Sequence, residues 1–167
     1  KEGLVEKAYS LMEYFDIKDF ARVKVNKLSS GSRKKLAFTT AVLTDPKVLF
    51  LDEPFEAVDV ISIERMKNVI RKLKAKGVTI IITSHILEVV ENLCDDIAIL
   101  HHGQIKAYLD SVSRKELQKD SSLHEIFAHY VPVEKKDDIV DWLWICYISF
   151  DVQQIKEVWY EKDNGNY

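Results

Sequence analysis

Apolar residues recur along the chain with two different spacings. From Leu4 to Phe15 they lie three or four positions apart with charged residues between them, which predicts an amphipathic helix. Further on, VLFL and VTIIITS are short, unbroken apolar runs, which are typical of strands buried on both faces. The pattern predicts helices over residues 3–15, 32–46, 62–77, 85–94 and 113–130 and strands over residues 48–51, 78–84, 96–102 and 104–109.

The order of these elements predicts an α/β fold. Helices alternate with strands through the middle of the chain, which indicates a mostly parallel sheet with helical cover. A tight turn at His102-Gly103 joins the last two strands. We interpret residues 1–130 as one folded unit, made of a helical region (1–45), a strand-rich core (46–110) and terminal helices (111–130).

Residues 131–167 form a tail that differs in composition from the rest, since it holds all three tryptophans. EKKDD (134–138) is typical of a solvated linker. The aromatic run at 139–150 fits either a strand or an amphipathic helix. It is too short to span a bilayer and contains Asp141, so no transmembrane helix is predicted. The role of the tail stays open.

Composition narrows the classes of protein. The chain has 167 residues, of which 47% are hydrophobic and 31% charged, as in an ordinary globular domain. A formal net charge of -3 gives no electrostatic argument for a nucleic-acid partner. Cys94 and Cys146 are far apart and match no metal-ligand spacing, and the charged first segment is unlike a secretory signal. A reduced, cytosolic setting is therefore expected.

Acidic residues follow the first apolar run directly. Asp52 and Glu53 stand at the carboxyl end of a strand, where open α/β sheets place their ligands. Because neighbouring side chains point to opposite faces, one carboxylate suits a magnesium ion and the other suits orienting or deprotonating a water molecule. His85 ends the second run, and a histidine there can donate to a terminal phosphate. The alternatives are two surface acids and a histidine at a helix start.

LSSG (28–31) precedes the second helix. A helix start exposes unpaired N–H groups and so favours an anion. Ser29 and Ser30 add hydroxyl donors, and Gly31 allows a ligand to approach the backbone closely. The alternative is ordinary capping of the helix by Ser29 or Ser30.

Taken together, these motifs resemble the C-terminal half of the nucleotide-binding domain of ABC transporters, from about Leu4 to Tyr130. LSSGS is similar to the family's LSGGQ signature, VLFLDE to its Walker B strand, EAVD (56–59) to its D-loop and His85 to its switch histidine. The resemblance implies a P-loop NTPase-like fold and an ATPase that uses ATP and Mg²⁺. Its partners would be a second nucleotide-binding subunit and a membrane permease, at the cytoplasmic face of the membrane.

The resemblance also implies roles for individual residues. Asp52 would help to hold magnesium, Glu53 would be the catalytic base and His85 would contact the γ-phosphate. Ser29, Ser30 and Gly31 would face the nucleotide of the opposite subunit in a head-to-tail dimer. Asp59 would lie at the dimer interface and link the two sites.

Some positions depart from the family pattern. Ser30 replaces a glycine, Ser32 a glutamine, and Glu56 stands where serine or asparagine is common; such variants are similar to those of bacterial ABC-2-type transporters, which favours export. The phosphate loop GxxxxGK[ST] is missing, because none of the five glycines precedes a Lys-Ser or Lys-Thr pair. The chain alone is therefore expected to bind ATP weakly and to be inactive. Two alternatives are a non-catalytic module that supplies a signature loop in trans and a head segment of a DNA-repair or chromosome-maintenance ATPase.

Overall fold

The computed structural model describes residues 2–119, 121–131 and 142–148. Two short 3₁₀ turns, Lys18–Phe20 and Val25–Lys27, separate the first two helices. The helices are α1 (Glu2–Tyr14), α2 (Ser30–Leu43), α3 (Val60–Ala75), α4 (Leu87–Leu93), α5 (Ser111–Leu117) and α6 (Leu123–Tyr130). The strands are β1 (Val48–Asp52), β2 (Thr79–Thr83), β3 (Asp96–His101), β4 (Gln104–Leu109) and β5 (Trp142–Ile148).

Side-chain caps fix where four of these helices begin. Ser29 caps α2, Asp59 caps α3 and Asp110 caps α5, each accepting a hydrogen bond from a backbone N–H of the first turn. Ser122 and Glu125 form a reciprocal capping box at α6. The Ser122 backbone N–H, and then its hydroxyl, lower the pKa of Glu125.

The described strands form one sheet in the order β1-β2-β5-β3-β4. β1 and β2 pair in parallel, with Val48 opposite Thr79 and Asp52 opposite Thr83. β5 is antiparallel to both β2 and β3, and β4 is antiparallel to β3. β1, β2 and β3 therefore share one direction, joined by α3 and α4, and the expected α/β class is confirmed.

One hydrophobic core joins the sheet to the helices. Fully buried side chains come from α3 (Met66, Ile70), from α4 (Val90) and from the sheet (Ile80, Ile82). Further members of the same core lie on the segment after α1 and on α2, β1 and β3: Phe15, Ile17, Phe38, Leu49, Leu51, Ile97 and Ile99. The core fixes α3 and α4 against the sheet and so fixes the strand ends that carry the predicted site.

The prediction that β1 is buried on both faces is wrong. Leu49 and Leu51 are buried, but Val48 is 49% exposed and Phe50 is 72% exposed. The reason is that β1 buries only the face that it turns toward the core, and none of the described residues covers Val48 and Phe50 on the other face. Phe50 is thus a large apolar side chain that is exposed on the face of β1 turned away from the core.

Two other expectations need correction. The single helix expected over 113–130 is two helices, since the chain turns at residues 118–122 and Ser122 begins α6 anew. The cysteines were expected to be reduced, but Cys94 is disulfide-bonded. In the part of the chain that the structure describes, no helix combines the length and apolar character that a membrane crossing requires.

The tail is described only in part. Of the aromatic run that fitted either a strand or a helix, residues 142–148 form β5. The linker predicted at 134–138 and the rest of the tail lie outside the described residues, so its assignment as a separate unit stays a prediction.

Candidate functional site

Glu53 and His85 lie together at one edge of the sheet. β1 and β2 are parallel neighbours, so the residues that follow them emerge at the same edge. His85 Nδ1 lies 3.0 Å from Glu53 Oε2, and the Glu53 side chain is 14% exposed while that of His85 is 47% exposed. The arrangement is an acid–histidine pair that opens to solvent on the histidine side.

The second carboxylate oxygen of Glu53 has no partner in the described structure. Oε1 is buried and makes no hydrogen bond to any described residue. A buried polar atom without a partner is uncommon and indicates that something outside the described residues meets it. A water molecule or a substrate hydroxyl fits, since a carboxylate oxygen accepts hydrogen bonds.

The backbone of Glu53 is held in an unusual conformation. Its φ is +43°, in the left-handed region that non-glycine residues seldom adopt. Its N–H is placed to donate to the carbonyl and the hydroxyl of Thr83, at 3.2 and 3.0 Å. These contacts to β2 keep Glu53 turned out of the strand.

Asp52 contacts the neighbouring strand. The hydroxyl of Thr83 donates to Asp52 Oδ1 at 2.5 Å. Thr83 was not singled out from the sequence, although its place at the end of an apolar strand, two residues before His85, was a usable signal. Within residues 2–119, 121–131 and 142–148, no three His, Cys, Asp or Glu side chains are grouped to hold a metal ion. A single carboxylate still fits Mg²⁺, which usually keeps several waters and phosphate oxygens as ligands.

The LSSG turn begins α2 as a capped helix start. Ser29 Oγ accepts from the Ser32 N–H at 3.1 Å and bonds the Ser32 hydroxyl at 2.9 Å. Gly31 packs against the loop after β1, because a Cβ at this position would lie 2.4 Å from the carbonyl oxygen of Ala57. A glycine is therefore required here by close approach of two backbones.

Lys34 joins α2 to the loop that carries Glu53. Its ammonium donates to the Glu53 carbonyl at 2.6 Å and lies 3.4 Å from the Asp52 carbonyl. The carboxylate of Glu56 is 3.6 Å away. Sequence reasoning missed Lys34, although it stands in the basic run Arg33-Lys34-Lys35 one turn after the LSSG motif.

Asp59 lies at the end of the same loop and caps α3. Its Oδ1 accepts from the Ser62 N–H at 2.9 Å, and its Oδ2 lies 3.4 Å from the ammonium of Lys35. These contacts, first the Ser62 backbone bond, lower the pKa of Asp59 from 3.8 to about 2. Lys34 and Lys35 thus tie both ends of the loop 53–59 to the helix that the LSSG turn begins.

The structure therefore places the predicted residues in two connected groups. Asp52, Glu53 and His85 share the edge of the sheet. Ser29, Ser30 and Gly31 lie at the start of α2, which contacts the loop ending at Asp59. The roles of all seven remain predictions.

Comparisons with known proteins identify the family. The model of the family described as "AAA domain, putative AbiEii toxin, Type IV TA system" matches residues 4–91, more than half of the chain. The chain is 36% identical over 126 residues to the uncharacterized ABC transporter ATP-binding protein YhaQ of Bacillus subtilis, covering 74% of this chain and 42% of YhaQ. It is 40% identical over 97 residues to the teichoic acids export ATP-binding protein TagH of Listeria innocua, covering 58% of this chain and 29% of TagH.

A solved structure agrees with the sequence matches. The structure described as the ATP binding subunit of an ABC transporter matches with a TM-score of 0.70 at 26% identity, over 78% of this chain and 55% of that one. The chain thus spans between 29% and 55% of the length of these three proteins. It belongs to the AAA-domain family and is a partial ATPase domain of the ABC type, with the α/β fold of the P-loop nucleotide triphosphatases.

Proposed function

We propose that this chain supplies the water-activating and signature parts of an ABC-type ATP hydrolysis site, and that the phosphate loop comes from outside residues 1–167. The observation that carries the proposal is the Glu53–His85 pair, with its 3.0 Å contact and a second, buried carboxylate oxygen aimed at no described partner. A base near the attacking water and a donor near the terminal phosphate are what phosphoryl transfer needs at this end of a nucleotide.

The proposed roles follow from where each atom lies. Glu53 orients the attacking water through Oε1 and accepts its proton, and His85 holds Oε2 of Glu53 and faces the terminal phosphate. Asp52 would hold Mg²⁺ directly or through a water molecule. When bound, Mg²⁺ would neutralise charge on the β- and γ-phosphates.

The LSSG turn is proposed to serve a second nucleotide. Ser29, Ser30 and Gly31 present a helix N-terminus and hydroxyl groups, which suit the γ-phosphate of an ATP bound to the opposite subunit of a head-to-tail dimer. Asp59 would lie at that dimer interface. Because Lys35 joins Asp59 to α2, movement of the turn would reach the loop after β1.

The names of the relatives extend the proposal to transport. YhaQ is named as an ATP-binding protein of an ABC transporter and TagH as one that exports teichoic acids. We infer that the whole protein works with a membrane permease at the cytoplasmic face of the cell membrane, in the direction of export. No nucleic-acid partner is proposed, given the net charge of -3.

ATP hydrolysis by a complemented chain tests the proposal. The part of YhaQ that lies outside its match to this chain serves as the complement. The chain alone should show no turnover, and the mixture should hydrolyse Mg-ATP. Glu53→Gln should lower turnover of the mixture about a hundredfold or more while keeping ATP-driven dimerisation.

Glu56→Gln is the matched control, because Glu56 is in the same loop but its side chain is 61% exposed. It should change turnover of the mixture by no more than about twofold, since a solvent-exposed ion pair such as Glu56–Lys34 contributes little. Full turnover by Glu53→Gln would remove Glu53 as the base. An inactive mixture that still dimerises with ATP would favour the module that supplies a signature loop in trans.

A further inference from the structure

One hydroxyl group connects the two acidic residues that end β1 and begin the loop after it. Thr83 is the last residue of β2 and lies opposite Asp52 in the parallel pairing. Its Oγ1 donates to Asp52 Oδ1 at 2.5 Å and accepts from the Glu53 N–H at 3.0 Å. The carboxylate of Asp52 and the backbone of Glu53 are therefore held by the same atom.

These contacts are not local to the turn that follows Thr83. A threonine hydroxyl commonly bonds a backbone group of its own turn. The partners of Thr83 instead lie 30 and 31 positions earlier, at the end of the neighbouring strand and directly after it. Because a hydroxyl has a single proton and gives it here to Asp52, its lone pairs face the Glu53 N–H.

The strand itself does not require the hydroxyl. Valine has the same branched shape at Cβ and suits a strand equally well. The backbone carbonyl of Thr83 already accepts from the Glu53 N–H at 3.2 Å, which keeps the two strand ends paired. The hydroxyl adds a second acceptor for that N–H and a donor to the carboxylate of Asp52.

The contact with Asp52 restricts how its carboxylate is presented. Hydrogen bonds from a hydroxyl to a carboxylate are short and among the stronger ones in proteins. Asp52 is exposed, so without this bond its side chain would sample several rotamers. With Oδ1 engaged by Thr83, Oδ2 keeps its lone pairs for a metal ion or for a water molecule bound to one.

The contact with Glu53 acts on its backbone. The φ of +43° is an unfavourable conformation that persists only where neighbouring groups hold it. The side chain that leaves this backbone reaches His85 at 3.0 Å and carries the buried Oε1. A shift of the Glu53 backbone would therefore move the oxygen that is proposed to orient water.

We infer that Thr83 is a positioning residue, whose hydroxyl fixes the metal-binding carboxylate of Asp52 and the base Glu53 relative to each other. This inference rests on the proposed function. Binding of a divalent cation and orientation of the attacking water are then linked, since both depend on one hydroxyl. Removal of a group that orients a metal ligand commonly lowers metal affinity or activity by about 10- to 100-fold.

Hydrogen exchange of the chain alone measures the contact with Glu53 without any nucleotide. Thr83→Val removes the hydroxyl and keeps the branched shape, whereas Thr83→Ser keeps the hydroxyl. Exchange of the Glu53 amide, measured by NMR relative to the amides of α3, should be about three- to tenfold faster in Thr83→Val. It should stay close to the unsubstituted rate in Thr83→Ser. An unchanged rate in Thr83→Val, or an equal acceleration in both variants, would overturn the inference.

Kinetics of the complemented chain test the link to Asp52. Turnover of the mixture is measured against Mg-ATP concentration with Mg²⁺ in constant excess. Thr83→Val should raise the apparent KM for Mg-ATP about tenfold and lower kcat about tenfold or more, and Thr83→Ser should return both to within about threefold. A merely structural role would reduce the fraction of active protein and leave KM unchanged, and that result would overturn the inference.

Thr79→Val is the matched control. Thr79 lies in the same strand but at its other end, opposite Val48, so the same chemical change is made away from the site. Exchange of the Glu53 amide and the KM for Mg-ATP should both stay within about twofold of the unsubstituted values. Changes as large as those of Thr83→Val would show an effect of the strand as a whole and would overturn the inference.

The two proposals fail in different ways. An unsubstituted mixture without turnover would contradict the catalytic roles, while exchange of the Glu53 amide would still decide whether the Thr83 hydroxyl holds that residue. Full turnover by Thr83→Val, beside an active unsubstituted mixture, would contradict the positioning role of Thr83 and leave the catalytic roles standing.

Discussion

Asp59 offers a direct test of how the loop after β1 is held. Asp59→Ala removes the acceptor of the Ser62 N–H at 2.9 Å and the partner of Lys35 at 3.4 Å. Loss of a helix N-cap costs about 1 kcal/mol. The pair with Lys35 adds at most about 1 kcal/mol, because the Asp59 side chain is 58% exposed and solvent screens it. The free energy of unfolding should fall by about 1–2 kcal/mol at pH 7.

The lowered pKa of Asp59 predicts that the free energy of unfolding depends on pH. The Ser62 backbone bond is the main reason that the pKa of Asp59 is lowered from 3.8 to about 2. The unfolded chain therefore takes up the proton more readily than the folded chain. The stabilisation is complete above about pH 4 and is lost as the pH falls toward 2. In the alanine variant this part of the acid sensitivity should disappear.

Urea unfolding of the unsubstituted chain and of Asp59→Ala, at pH 7 and at about pH 2.5, measures this contribution of Asp59. The contributions of the other carboxylates cancel in the difference between the two proteins. The difference in unfolding free energy should shrink at the lower pH. Asp59→Asn is the control, because it keeps an acceptor for Ser62 and loses only the charge, so its penalty at pH 7 should be about half as large. An equal penalty at both pH values would refute the assignment of the shift to Asp59.

Three further substitutions test the packing around the site by the same urea assay. Gly31→Ala should lower the free energy of unfolding by about 1–3 kcal/mol, because its Cβ would meet the Ala57 carbonyl oxygen at 2.4 Å; no loss would mean that the two segments are further apart. Phe15→Ala should cost about 3–5 kcal/mol, because Phe15 is fully buried edge-to-face on Phe38; a loss below about 1 kcal/mol would contradict that packing. Lys34→Met keeps the side-chain stem but removes the ammonium that contacts the Glu53 carbonyl, so it should lower the free energy of unfolding by about 1–2 kcal/mol. It should also slow ATP hydrolysis by the complemented chain, and unchanged turnover would show that this contact does not position Glu53.

The pattern of apolar runs was enough to predict that Asp52, Glu53 and His85 lie together. One apolar run is followed by Asp52 and Glu53, and another is followed by His85. If the two strands are parallel neighbours, these residues lie at the same edge of the sheet, and β1 and β2 do pair in this way. The contact made by Lys34 could not be predicted from the sequence, because it depends on how α2 packs against the loop after β1. A lysine next to two other basic residues suggests only an exposed charge.

The place of β5 was also beyond sequence reasoning. Its residues 142–148 are apolar and aromatic, which suits a strand or a helix. The choice depends on the pairing of β5 with β2 and β3, which are distant from it in sequence. The exposure of Phe50 has the same kind of cause, since an apolar run predicts burial but does not show which covering layer the chain contains.

The backbone around Glu53 shows that contacts within the fold shape this part of the candidate site. Glu53 and Ala57 both have left-handed φ values, +43° and +57°, and neither is glycine. Such conformations cost about 1–3 kcal/mol each and persist only where neighbours hold them. Thr83 holds the first through two acceptors, Lys34 holds its carbonyl, and Gly31 packs on the carbonyl of the second. Since these contacts all come from β2 and α2, the fold itself holds the loop that carries Glu53.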